Sequence, residues 1–317
     1  MSDWLWLGVW MGIGAMCAGP SRKSSRAKGK LAGRARPTAK ARVARWFGGC
    51  FYACGQEGLP GQINCLGRQY ALEKVLKHDF VAATGLYRAV AGDGGLPGRL
   101  VCKMNRRMHF CLLPLGLFGR LITRSEIRNL RRCQEISGVP KVLARLGPTG
   151  YVYGYIEGKS LSEEPALPAD FFENLAAVAR QIHARNLVHF DLHKRGNILV
   201  GVDDRPYIID FQLSRHMGDR FLLSKWLSSR VRRRLQAYDI YHIYKHKRRF
   251  QPDLLTEAED RLSRDHSLPL RIHRAVARPW KRVRRACLRY LHNKGILAPR
   301  DPASTCVETD PARWTGK

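Results

Sequence analysis

Acidic side chains are in short supply. Against 56 lysines and arginines the 317-residue chain sets only 26 aspartates and glutamates, for a formal net charge of +30. A surface so one-sided repels itself and calls for polyanionic surroundings: nucleic acid, anionic lipid or phosphorylated sugar. Long apolar runs are lacking too. The uncharged stretch from Trp4 to Gly19 has 16 residues, four of them glycine, which is short of the roughly 20 that a spanning helix needs. A chain with 26% charged residues is also no multi-span membrane protein. Nor is there an even set of cysteines. Nine, in a chain long enough to build a core without staples, exclude a secreted disulfide framework and favour a reducing cytosolic face. With 44% hydrophobic and 26% charged residues, the composition also excludes wholesale disorder, collagen and mucin. It leaves one globular domain of about 200 to 250 residues plus tails.

What charge there is divides the chain. Positions 1–20 form an apolar segment with Asp3 where a secretory signal would carry basic residues, so an anchor, a signal-like segment and an extension without a role all stay open. From Ser21 to Arg45 there are ten Lys or Arg and no acid, with no apolar period, which reads as a flexible basic linker over 21–46. From Arg220 to Arg300 there are 22 Lys or Arg against six acids, but Leu, Ile, Tyr and Trp recur among them, as in helices with one apolar stripe and basic outer faces. A tail follows over 296–317.

The chemistry lies between these basic regions. Phe172, Leu175, Val178 and Ile182 recur at helical spacing through Phe171 to Arg185, and Asn186 can close that helix. Leu187-Val-His-Phe-Asp-Leu-His-Lys-Arg-Gly-Asn-Ile-Leu-Val200 then delivers polar residues into an apolar strand, and after a turn at Asp203 to Pro206 a second strand, Tyr207 to Ile209, ends in Asp210-Phe211-Gln212. The hairpin thus carries Asp191 and Asn197 before its first strand and Asp210 after its second. Phosphoryl transfer needs such a trio. One carboxylate orients the acceptor hydroxyl, while a second carboxylate and an amide oxygen hold magnesium on the phosphates.

His189-Phe-Asp191, Asn197 and Asp210-Phe211 resemble the catalytic loop and metal-binding turn of protein-kinase-like phosphotransferases. The resemblance implies a two-lobed α+β fold, ATP as donor, Asp191 as base or acceptor-orienting group, and Asn197 and Asp210 as ligands of Mg2+. Lys103, at the end of the alternating Arg99-Leu-Val-Cys-Lys, resembles the phosphate-positioning lysine. Glu126, on the amphipathic stretch Thr123 to Cys133, resembles its pairing glutamate, with Glu135 as runner-up. Phe80 to Val90, followed by Ala91-Gly-Asp-Gly-Gly95, reads as two short strands and a hairpin turn, with Gly85 where the phosphate-covering glycines belong. Tyr151 to Leu161 resembles the segment that joins the lobes, which puts Tyr155, Ile156 and Glu157 near the adenine. On this reading a small lobe covers 70–156 and a large lobe with basic C-terminal helices covers 157–295.

The departures are specific. Asn197 stands six residues after Asp191 where the family pattern has five, so the loop must bulge. Phe190 replaces the usual arginine and Gln212 the turn glycine. Asp239, within Leu235 to Tyr244, resembles the aspartate that braces the catalytic loop, but it follows Asp210 by 29 residues and no Ala-Pro-Glu intervenes. The activation segment is therefore short, as in RIO-like and lipopolysaccharide core kinases, and activation by loop phosphorylation is not expected.

Other groupings read as structure. Cys50, Cys54 and Cys65 lack a fourth ligand at zinc spacing and read as thiols. His242 and His246, flanked by Lys245 and Lys247, read as part of a solvated basic face. Cys111 to Ile122 reads as an apolar insert that packs in the core or touches a membrane through Leu115, Leu117 and Phe118. The sequence thus points to an atypical serine/threonine protein kinase-like enzyme, cytoplasmic or held at the inner face of a membrane. The alternatives are a lipopolysaccharide core sugar kinase at an anionic membrane surface, and, less favoured, a basic nucleic-acid-binding module without catalysis.

Overall fold

The computed structural model of the chain describes residues 52–264, except positions 56, 91–94, 110–113, 164 and 219–223. The segments 1–20, 21–46 and 296–317, the basic stretch after Arg264 and Cys50 lie outside these residues.

The described chain is α+β. Period-two alternation and β-branched or aromatic residues give six strands: β1 (Gln62–Cys65), β2 (Arg68–His78), β3 (Ala82–Ala89), β4 (Arg99–Asn105), β5 (Val142–Leu146) and β6 (Gly150–Gly154). They pair antiparallel in the order β1-β2-β3-β4-β6-β5. Tyr70, Tyr87, Leu100, Cys102 and Val152 bury one face of this sheet.

The hairpin before the lysine strand differs from the sequence reading. Phe80 to Val90 holds one strand, not two: β3 pairs back with β2 around a turn at Asp79 to Val81. The reason is local. Asp79 Oδ1 accepts from the amides of Val81 (2.8 Å) and Ala82 (2.9 Å) while Lys77 pairs with Oδ2 at 2.9 Å, so an Asx-type turn closes without glycine. Gly85 sits in mid-strand, opposite Val75 and Cys102. A β-carbon there would press to 2.7 Å from Leu59 Cδ1 and 2.8 Å from Leu72 Cδ1. Its smallness serves core packing, which corrects its reading as a phosphate-approach glycine.

From Leu115 onward the apolar insert forms the first turns of a helix, α1 (Leu115–Arg132); the insert's positions 111–113 lie outside the described residues. Gly119 permits this, since a β-carbon there would fall on the Arg106 carbonyl. Leu115 and Phe118 pack against Phe80, Val81 and Ile122, so of the three side chains expected at a membrane only Leu117, 61% exposed, faces outward.

After β6 come β7 (Gly158–Ser160), α2 (Phe171–Ala184), β8 (Leu187–Val188), β9 (Ile198–Gly201), β10 (Pro206–Ile208), β11 (Arg215–His216), α3 (Lys225–Phe250) and α4 (Glu257–Arg264). β9 pairs with β10 and β7, and β11 with β8. Phe171, Phe172, Leu175, Ala179 and Ile182 of α2 share one core with Leu130 of α1, Tyr151 of β6, Ile198, Ile208, Phe211 and Ile243. This cluster ties the sheet to the helices. α4 folds back on α3, where buried Lys247 meets Glu259 at 2.8 Å.

The reading of His242 and His246 as a solvated face is overturned, since both are buried. Their helix face packs on the loop after β8, with His246 Nε2 2.9 Å from the Leu192 carbonyl. Cys54, Cys65, Cys102 and Cys133 are buried free thiols. Burial pushes Cys54 and Cys133 up to about 11 and Cys102 up to about 12, which leaves them inert at neutral pH. Among the described residues no helix is long and apolar enough to cross a membrane.

Candidate active site

Strand alternation turns Lys103 of β4 inward, where it is 5% exposed. Its Nζ lies 2.6 Å from Glu126 Oε1 on α1 and 2.6 Å from Asp210 Oδ1 after β10. One ammonium so bridges the sheet, the helix and the hairpin. Burial opposes its charge, but Asp210 and Glu126 together hold it above the ordinary lysine range. Asp210 is desolvated as well, yet Lys103, Lys77 and Lys194 pull its carboxyl well below the usual carboxylate range. Glu126, 0% exposed, is raised by burial, against the Lys103 charge and a bond from the Tyr151 hydroxyl. Glu135, by contrast, is an exposed partner of Arg185 at 3.3 Å, away from the lysine.

The hairpin brings the remaining polar groups to the same end. Ile208 pairs with Ile198, and the amide of Ile209 donates to the Asn197 carbonyl at 2.9 Å, so Asn197 and Asp210 leave the two strands side by side. Asn197 Nδ2 donates to the Asp191 carbonyl (3.1 Å) and to Asp191 Oδ2 (2.9 Å). Both bonds use the amide nitrogen, so the amide oxygen is the atom of Asn197 that could take a cation. Phe190 and Asp210 hold left-handed backbone, at φ 67° and 63°. Such conformations cost energy in residues with side chains and cluster at functional sites.

Asp239 of α3, 0% exposed, fastens the strained loop. It accepts from the amides of His189 (2.8 Å) and Phe190 (3.0 Å), and its Oδ2 lies 3.0 Å from His183 Nε2. His246 fastens the loop from the other side through the Leu192 carbonyl, and burial lowers its pKa to about 4. Between that value and the ordinary histidine value of about 6.5, unfolded chains bind the proton that the folded state refuses, so stability rises with pH across this window. On lowering the pH from 7 to 5, the unfolding free energy should fall by about 2 kcal/mol through His246. His78 and His216, also lowered chiefly by burial, add in the same direction. Urea titrations at both pH values, in wild type and His246→Gln, measure this; equal pH slopes would remove His246 as the cause.

Several groups here escape a reading of the sequence. Lys194 Nζ donates to Asp191 Oδ2 at 2.8 Å, and Asp191, against the cost of burial, keeps that ammonium above its usual range. His193 Nδ1 stands 3.2 Å from Asp191 Oδ1. The extra residue in the loop signalled a bulge there, but not which side chains meet Asp191. Gln212 Nε2 donates to Asn105 Oδ1 at 3.0 Å, and Asn105 Nδ2 donates to Thr123 Oγ1 at 2.9 Å. This buried chain ties the Asp210 turn to β4 and α1, and nothing in the local sequence marks it.

Tyr155 and Ile156 are half-buried in the link between β6 and β7, while Glu157 is exposed, its carbonyl accepting from the Val202 amide at 3.0 Å. The turn at Asp79 is no open phosphate cradle, because Asp79 occupies its amides; Lys77 is the group there whose charge reaches Asp210 and Lys194. Among the described residues no three His, Cys, Asp or Glu side chains stand together for a metal. A magnesium ion suits such a sparse set, since it takes one or two protein oxygens and completes its shell with water and substrate phosphates. The Asp210 carboxylate and the Asn197 amide oxygen fit that need.

No family model matches the sequence. Over 121 residues, 37% of this chain, it is 32% identical to the serine/threonine-protein kinase kin-29 of Caenorhabditis briggsae. The chain spans 15% of that relative's length. This likeness supports a kinase-like relationship.

Proposed function

We propose that the chain is an ATP- and Mg2+-dependent phosphotransferase on a two-lobed protein-kinase-like fold, passing a γ-phosphoryl group to a hydroxyl. The observation that carries this reading is the Lys103 ammonium held between Glu126 and Asp210, beside a hairpin that presents Asp191 and Asn197. ATP would supply the phosphoryl group, and magnesium the charge that neutralises it. Lys103 offers its ammonium to phosphate oxygens while Glu126 fixes its direction. Asn197 and Asp210 hold the metal. Asp191 accepts the proton of the acceptor hydroxyl at its carboxylate, positioned by Asn197 and Lys194. Tyr155, Ile156 and Glu157 line the adenine side.

The favoured acceptor is a serine or threonine hydroxyl, the group named for the kinase relative. A second reading, a lipopolysaccharide core sugar, rests on the shortness of the chain between Asp210 and the start of α3 at Lys225, which leaves little platform for a peptide. A nucleic-acid-binding module without catalysis would have no need for Lys103, Asp191, Asn197 and Asp210 together.

Transfer of γ-phosphate label from ATP to candidate proteins and core sugars tests the reading. Lys103→Met should cut transfer by about a hundredfold or more, and Glu126→Gln by about tenfold, since it acts only through the lysine. Glu135→Gln should match wild type. A defect in Glu135→Gln with none in Glu126→Gln would overturn the pairing, and no transfer to any acceptor together with no ATP binding would overturn the function.

A further inference from the structure

We propose that the outward face of α1 docks on an anionic lipid bilayer. Every side chain this helix exposes is leucine or arginine. Leu117 and Leu121 are 61% and 43% exposed, and Arg120, Arg124, Arg128, Arg131 and Arg132 are exposed with them. Steps of three and four residues put these side chains on one stripe of an 18-residue helix, about 27 Å long. The only acid on the helix, Glu126, points the other way and is buried against Lys103. The stripe is therefore purely cationic, with an apolar pair at its N-terminal end.

The basic surface continues beyond α1. Charges from Arg128 and Arg132 of α1 and Arg232 of α3 converge on His216 of β11. At the N-terminal end of α3, Trp226 and Leu227 are exposed (65% and 40%), with the Arg230 guanidinium 5.4 Å from the Trp226 ring centre. Arginine with exposed leucine and tryptophan is the composition that headgroup phosphates and the acyl boundary reward together. A nucleic-acid backbone rewards the arginines alone. That difference favours lipid, and it gives the test its arms.

The full-length chain is sedimented with vesicles of phosphatidylcholine and with vesicles of equal parts phosphatidylcholine and phosphatidylglycerol, at low and high salt. Wild type should bind the anionic vesicles and keep part of that binding at high salt. Leu117→Ser with Leu121→Ser should weaken the salt-resistant part by about tenfold, and Arg120→Gln with Arg124→Gln and Arg128→Gln should flatten the salt dependence. Basic residues elsewhere contribute equally to all samples, so the comparison isolates α1. The substituted side chains are exposed, and unchanged thermal midpoints and ATP binding on the same samples separate a docking failure from a failure of the fold or of the proposed catalysis. Equal sedimentation of wild type and the leucine variant overturns the proposal. Binding of duplex DNA or RNA that the arginine variant loses, with no vesicle binding by wild type, overturns it in favour of nucleic acid.

Discussion

Asp210→Ala should bind magnesium-ATP at least a hundredfold more weakly than wild type, a loss of roughly 3 kcal/mol, whereas Asp191→Ala should bind it nearly normally and transfer almost nothing. The two carboxylates differ in what surrounds them. Asp210 is held ionised by Lys103, Lys77 and Lys194, and without it those cations face one another and the proposed magnesium site loses its carboxylate. Asp191 sits deeper, engaged by Lys194 and Asn197, where its oxygens suit a hydroxyl proton better than a metal. Removing a positioned base typically costs about 10²- to 10⁴-fold in rate. Calorimetric titration with magnesium-ATP, followed by single-turnover transfer, separates the two effects. Equal nucleotide binding by wild type and Asp210→Ala would sink the assignment.

The second large effect concerns Asp239, far along the chain from the residues it serves. Asp239→Ala should lower the unfolding free energy by about 3 to 5 kcal/mol, because it strands two buried amides, at about 1–3 kcal/mol each, together with the His183 ring. That is a large part of the roughly 5–15 kcal/mol that holds a typical domain. Turnover should fall with it even where the variant stays folded, since Phe190 keeps its left-handed backbone only while both neighbouring amides are gripped. Urea unfolding, paired with transfer assays at low temperature, reads both. A loss below about 1 kcal/mol would mean that water replaces the carboxylate easily.

What was legible in the sequence follows the range of the interactions. Strand alternation marked Arg99 to Lys103, the 3.6 period marked the helix from Phe171, and two short apolar runs around a polar turn marked the hairpin; each is a local rule. The structure has Lys103, Glu126 and Asp210 in contact. Where local and tertiary demands conflicted, the reading failed. Glycines at 116 and 119 argue against a helix in isolation, yet the close approach of the Arg106 backbone to Gly119 requires one of them. His242 and His246 lie among lysines in sequence, and the packing of α3 on the loop after β8, through Leu192 and His193, buries them. Gln212 and Asn105 are 107 positions apart, beyond any window.

That long-range bond bears on how small molecules would compete for the site. Phe211 is 1% exposed within the main core, and the adjoining Gln212 is tied through Asn105 to the helix that carries Glu126. An inhibitor that gains its space by displacing Phe211 would have to uncover an aromatic ring and sever this buried amide chain in one step. Compact molecules that fit the standing arrangement meet neither cost. If the site takes nucleotide as proposed, a chemical screen against this protein should therefore be poor in elongated hits that wedge behind the Asp210 turn.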